Sequence, residues 1–396
     1  MTDIKRGIAI DVGTTTVAVY LVDMENGEKF VAISDMNAQA PYGADVSSRI
    51  KYCSDNGYEK LTTIIREQLS DMIDKACQTA GVNKEQIENV VIAANTVMQH
   101  IVAGLSPISL GKAPFTPVSL FGEELPIWEG LPVLENTKIY YTPAVSAYVG
   151  GDISAGLLAA GFEDIKKPAL FIDIGTNGEI VLKHKETYYC CATAAGPAFE
   201  GAEITKGMAA TQGAIDHVWL GNSGKIEFSV IGSSAPKGLC GSGLLDLLAT
   251  LLDMGVVDKT GRLLDKDRYY IDEALDIFTT AEDIRKLQLA KAAIAAGIEV
   301  LLHFAGIKED DISLLALAGG FGSYMDLKSA ARVGLIPKSL LPVAKVCGNT
   351  AGEGAVKTLT CNNAYERLEK IRKHCEYVEL SSISFFNDKF VDQMEF

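Results

Sequence analysis

Residues 8–23 read IAIDVGTTTVAVYLVD. An apolar run stops at Asp11, a turn of Gly13, Thr14, Thr15 and Thr16 follows, and a second apolar run starts at Val17. A hairpin inside a core has no need of three threonines at its turn. Successive backbone N–H groups of a Gly/Thr turn form a concavity for anionic oxygens, and the hydroxyls add donors. Residues 169–184, ALFIDIGTNGEIVLKH, repeat the pattern: apolar run, Asp173, Gly175, Thr176, Asn177, second apolar run. The two aspartates are 173 − 11 = 162 residues apart. That period is the size of a domain, so it predicts a duplicated α/β fold rather than a short solenoid repeat. The expected lobes are 1–165 and 166–396, with the boundary near 161–168.

The rest of the chain is consistent with two globular lobes. It has 396 residues, 48% hydrophobic and 22% charged, too many for one ordinary core and too apolar for disorder. A net charge of −15 argues against binding a nucleic-acid backbone, which needs a basic face. No run of about 18 apolar residues and no signal-like N-terminal stretch are present, so the expectation is a cytoplasmic protein with no membrane span. Eight cysteines contain no C-x-x-C pair, so neither a zinc ribbon nor a ferredoxin-type framework is predicted. Cys190 and Cys191 sit on a predicted strand, pointing to opposite faces as reduced, half-buried thiols. The five histidines lack metal-like spacing.

Coarser patterns place the remaining motifs. A polar segment covers 37–57 and a helical pattern 58–80. A buried strand covers 88–96, a Gly/Pro-rich loop 104–132, and a helix of small residues, AVSAYVGGDISAGLLAAG, 144–161. Further on, GLCGSGLLD opens an amphipathic helix, and a long helix covers 282–305. ALAGGFGS is a strand running into a glycine turn, and GNTAGEGA opens another helix.

Asp11 and Asp173 each close a strand beside a phosphate-type loop. That position suits water-mediated Mg²⁺ binding or orientation of an attacking water. Asp152 reads either as a further carboxylate of the magnesium shell or as a plain helix-surface residue. Gly319, Gly320 and Gly322 let backbone approach a flat nucleoside, with Phe321 among them. Ser242 either caps its helix or faces a ribose. Asp45 and Arg49 lie four apart and read as an N-cap and a salt bridge, with a coupling or catalytic role as the alternative.

The order of these motifs resembles the sugar kinase, actin and heat-shock chaperone superfamily. IAIDVGTTT looks like its first phosphate motif, FIDIGTNGEI its second and LALAGGFG its adenosine motif. The resemblance implies two ribonuclease-H-like lobes with ATP and Mg²⁺ in the cleft between them. A narrower resemblance covers nearly the whole chain: YGADVSSRI, NTVMQHIVAGLSP, GDISAGLLAAG, AAGPAFEGAEITKGM, GLCGSGLLD, LAGGFGSYMD and the C-terminal YVELSSISFFNDKFVDQMEF. These are similar to the ATPase domain of the reductive activators of corrinoid proteins, which use ATP to return Co(II) corrinoid to Co(I).

That resemblance implies an ATPase, a corrinoid-protein partner and a homodimer. Activators of this kind carry an N-terminal iron–sulfur domain, whereas this sequence opens on the ATPase motifs. The expectation is therefore no iron–sulfur cluster in this chain and a separate ferredoxin-like electron donor. Two other readings stay open: a small-molecule kinase of the same superfamily, with Asp45 as its candidate base, and a non-enzymatic ATP-dependent scaffold.

Overall fold

A computed structural model describes residues 5–232, 234–264, 267–322 and 324–396. The chain divides into two units, Met1–Ile165 with Asn349–Tyr377, and Lys166–Gly348 with Val378–Phe396.

In the first unit, strands β1 (Arg6–Val12), β2 (Thr16–Asp23), β3 (Lys29–Met36), β4 (Ile87–Ala94), β5 (Glu123–Pro126) and β6 (Lys138–Tyr141) form one sheet in the order β3-β2-β1-β4-β6-β5. β1 and β2 pair antiparallel, as do β2 and β3, while β1–β4 and β4–β6 pair parallel. Ile8, Ile10, Val12, Val17, Val19 and Leu21 are all buried. Their continuous apolar runs are what a sheet covered on both faces requires. One cover is the helix Glu59–Ala80, whose stripe of Leu61, Ile65, Leu69 and Ile73 is buried; Gly81, at φ 65°, ends it in the left-handed conformation. Another is the helix Thr350–Thr360, packed on β1, β4 and the helix Gly151–Ala159.

The second unit repeats the plan. β7 (Ala169–Ile174), β8 (Gly178–His184) and β9 (Thr187–Thr193) pair antiparallel in sequence. After β10 (Ala214–Leu220), β11 (Ile226–Val230) and β12 (Gly238–Leu239), which make a small sheet, and the hairpin β13 (Arg268–Asp272) and β14 (Ile277–Thr280), the chain returns to the main sheet. β15 (Leu314–Ala318) and β16 (Ala344–Gly348) extend it parallel to β7. The run β16-β15-β7-β8-β9 has the same order and directions as β6-β4-β1-β2-β3. The duplication expected from the repeated motif is therefore present as topology. The helix Ala281–Ala305 is long and apolar enough to cross a membrane, yet 78% of its apolar window is buried inside the structure. It serves as a core helix, started by the Thr280 capping box.

Several expectations are corrected. The break between lobes at 165/166 coincides with the unit boundary, but Asn349–Tyr377 groups with the first unit, because its helices pack on that unit's sheet and on the Gly151–Ala159 helix. The helix of small residues starts only at Gly151. Before it the chain turns back, with Val145 N–H donating to Val149 O at 2.8 Å. A Cβ at Gly150 would lie 2.5 Å from Asn95 Cα, and one at Gly151 would lie 2.4 Å from Thr142 O, so the glycines serve close approach. The polar segment 37–57 contains a helix, Val46–Asn56. The glycine turn is itself a short helix, Gly319–Gly322. Cys190 and Cys191 are fully buried rather than half-buried.

Candidate functional site

The first loop has all four of its carbonyls tied to protein donors. Asn37 Nδ2 donates to Gly13 O at 2.9 Å, and Arg49 Nη2 to Thr14 O at 2.6 Å. The Asn37 amide donates to Thr15 O and the Gly13 amide to Thr16 O, each at 2.9 Å. In a trans peptide the N–H points opposite to the C=O. The Thr15 and Thr16 carbonyls face opposite neighbours, β3 and β1, while the Arg49 bond to Thr14 O fixes the peptide plane whose other end is the Thr15 N–H. A turn with its peptide planes held in this way suits an anion nest. Asn95 Nδ2 donates to Thr14 Oγ1 at 3.1 Å and orients that hydroxyl. A Cβ at Gly13 would sit 2.7 Å from Thr16 O, so this tight turn requires glycine.

Asp11 stands one residue before the end of β1. Asn349 Nδ2 donates to its Oδ2 at 2.8 Å, and Asn349 Oδ1 meanwhile accepts from Gly352 N–H at 2.9 Å, capping the following helix. Burial pushes the Asp11 carboxyl up to about 7, against the Asn349 hydrogen bond and with help from the charge of Asp152. Asp152, in the first turn of the helix Gly151–Ala159, is pushed up to about 6, also mainly by burial. It is thus not a plain surface aspartate. Two partly buried carboxylates whose proton affinity is raised, mainly by burial and at Asp11 also by the charge of Asp152, are a donor set that a divalent cation would relieve. The residues fit Mg²⁺ held largely through water and phosphate oxygens, the usual habit of that ion. Among the described residues no group of three or more His, Cys, Asp or Glu is placed to hold a metal.

The second unit's loop is built differently. Gly175 N–H donates to Asn177 O at 3.0 Å, and Thr176 Oγ1 donates to Glu200 Oε2 at 3.0 Å. Asp173 lies beside Gly319, whose φ is +91° and where a Cβ would fall 2.6 Å from Asp173 Oδ1 and 2.5 Å from Ile174 O. Only glycine fits there. A Cβ at Gly320 would meet nothing within 4 Å, so this backbone borders open space. Phe321 does not: it is 8% exposed, and its ring stacks on Phe199 at 5.0 Å. Ser242 is not the helix cap. Cys240 holds that position, and Ser242, buried inside the first turn, meets Cys240 Sγ at 3.4 Å.

The predicted Asp45–Arg49 salt bridge is absent. Asp45 is the N-cap, accepting from Ser48 N–H at 2.7 Å, while Arg49 turns inward to the first loop. Arg49 was read as a salt-bridge partner with a coupling role as the alternative, whereas Asn37, Asn95, Asn349 and Glu200 were not among the expected site residues. Of these four only Asn349 had a local signal, an asparagine directly before a helical run of small residues.

Duplicated sheets of this order, each with an Asp-x-Gly-Thr turn between its first two strands, define a protein of the sugar kinase, actin and heat-shock chaperone class. The family described as "C-terminal domain of RACo the ASKHA domain" matches residues 167–396, and "RACo middle region" matches 6–165. The chain belongs to the RACo family.

It is 36% identical to the corrinoid activation enzyme RamQ of Eubacterium limosum, over 98% of this chain and 69% of that protein. It is 23% identical to the [Co(II) methylated amine-specific corrinoid protein] reductase of Methanosarcina barkeri, over 98% of this chain and 77% of that one. A solved structure, "Reductive activator for corrinoid,iron-sulfur protein", superposes with a TM-score of 0.90 at 37% identity, covering 100% of this chain and 66% of that one. The chain thus spans about two thirds of the length of that solved relative.

Proposed function

We propose that this chain binds and hydrolyses Mg-ATP to support the one-electron reduction of a Co(II) corrinoid protein to Co(I). The observation that carries the reading is the match along its whole length to a reductive activator, at a TM-score of 0.90 and 37% identity. The pinned Gly13–Thr16 loop supports the ATP part. Its amides bind phosphate oxygens, and Thr14 Oγ1, oriented by Asn95, adds a donor. Asp11 and Asp152 hold the magnesium ion through water. When bound, that ion neutralises phosphate charge. In the second unit, Asp173 orients the attacking water, and Gly319 and Gly320 give the nucleoside its close backbone approach.

The electron comes from a separate ferredoxin-like donor, and ATP supplies the free energy that the donor lacks. The protein works in the cytoplasm as a homodimer.

The test is anaerobic. The protein, Mg-ATP, a Co(II) corrinoid protein and a low-potential reductant are mixed, and the Co(I) absorbance is followed. Co(I) that forms only with both ATP and this protein is the expected result. Phosphate transferred to an added sugar or acid, or ATP-dependent pelleting without turnover, would replace this reading.

A further inference from the structure

Arg49 is completely buried, which is exceptional for an arginine without a carboxylate partner. It rises from the helix Val46–Asn56, and every acceptor it reaches is neutral. Nε donates to Gly43 O at 3.0 Å, Nη1 to Gln39 Oε1 at 3.2 Å and to Met98 Sδ at 3.1 Å, and Nη2 to Thr14 O at 2.6 Å. Asp45 contributes only its longer-range charge, since its oxygen caps the helix. Burial accordingly lowers the guanidinium to about 10. A buried cation costs folding free energy unless an anion balances it. The atom it grips is the carbonyl of the loop peptide whose N–H points the other way.

We propose that Arg49 is the positioning residue of the first phosphate loop. It fixes the Thr14–Thr15 peptide plane, and its charge, one peptide plane behind the loop and offset in the fold only by the longer-range charge of Asp45, is balanced by the nucleotide's phosphates. It never touches the ligand. It acts through Thr14, and its hydrogen-bonding fork is what lets one side chain hold Gly43, Gln39 and Thr14 together. The proposal rests on the nucleotide reading of this loop, and it adds a specificity: Arg49 favours ligands in proportion to phosphate charge.

Calorimetric titration of the full chain with Mg-ATP, Mg-ADP and adenosine tests it. Arg49→Met is expected to weaken Mg-ATP by about 30-fold or more and Mg-ADP by less, while adenosine stays within about twofold. Arg49→Lys, which keeps the charge and loses the fork, is expected to recover about tenfold of the loss. Equal weakening of Mg-ATP and adenosine would reduce Arg49 to a folding residue and overturn the proposal, as would Mg-ATP binding by Arg49→Met equal to that of the unmodified protein. If Arg49→Met does not fold, Arg49→Lys decides alone: weaker Mg-ATP with adenosine unchanged supports the proposal, and no change in either overturns it. Failure of the unmodified protein to bind Mg-ATP would overturn the nucleotide reading itself, a different result from normal binding with insensitive variants.

Discussion

The two Asp-x-Gly-Thr turns align residue for residue in sequence but close differently. The first is bounded by the pair Val12–Val17 and closes with Gly13 N–H on Thr16 O. The second is bounded by Ile174–Gly178 and closes with Gly175 N–H on Asn177 O, one residue tighter. Side chains from distant segments brace the first: Asn37, Arg49 and Asn95 hold the loop, and Asn349 holds Asp11. The second uses a threonine–glutamate hydrogen bond and a glycine pressed against its aspartate. A duplicated strand–turn–strand has therefore kept its backbone plan and acquired two different supports. The difference teaches that the phosphate-type motif fixes where a loop stands, while unrelated residues fix how rigid and how charged it is.

Removing the aspartates tests whether the roles still match. Asp11→Asn and Asp173→Asn are each expected to lower the ATP hydrolysis rate by about 100-fold or more, because under the proposed function each loses charge placed at a reacting phosphate or water. A large loss in one variant alone would show that the duplicated aspartates have diverged in function.

The loop glycines should respond unequally. Gly13→Ala forces a Cβ to 2.7 Å from backbone and should cost about 1–3 kcal/mol in denaturant unfolding. Gly175→Ala meets its nearest atom at 3.8 Å and should stay within about 0.5 kcal/mol. Equal costs would break the contrast between the loops.

The carboxylates of the first unit should leave a pH signature in nucleotide- and metal-free protein. Asp11 and Asp152 bind protons more tightly folded than unfolded, with folded values of about 7 and about 6 against 3.8. Stability therefore falls as pH rises from about 4 to about 7, where the folded state must charge them. Asp11→Asn should raise the Tm by about 3 °C or more at pH 8 and leave it unchanged near pH 4. A Tm difference independent of pH would contradict the burial of this charge.

A modest effect is expected at the second loop's brace. Thr176→Val removes the hydrogen bond to Glu200 and should cost about 1 kcal/mol. A larger loss would make that brace as important as the Arg49 network.

Much of the fold was legible because it rests on local pattern. The strand–turn–strand runs, the 162-residue period (173 − 11) and the long 281–305 helix follow from apolar spacing. The bracing shell was not legible, because Asn37, Arg49 and Asn95 lie 24 to 81 residues from the loop atoms they hold. The N-cap reading of Asp45 holds, but the extent of the helix Val46–Asn56 was hidden in a polar segment because its buried stripe is Val46, Arg49, Ile50 and Cys53, with an arginine where periodicity expects an apolar residue. Phe321 read as nucleoside-facing because of its glycine neighbours, but an apolar ring takes the core side when a partner such as Phe199 is available. Asn349–Tyr377 was assigned to the second lobe because a single cut in sequence cannot show a chain that packs back on the first.

The most direct test of the account is anaerobic ATP hydrolysis by the purified protein, with and without a Co(II) corrinoid protein. The account predicts that the Co(II) partner changes the hydrolysis rate severalfold and that Asp11→Asn abolishes the response. Hydrolysis indifferent to every Co(II) corrinoid protein of the same cell would contradict it.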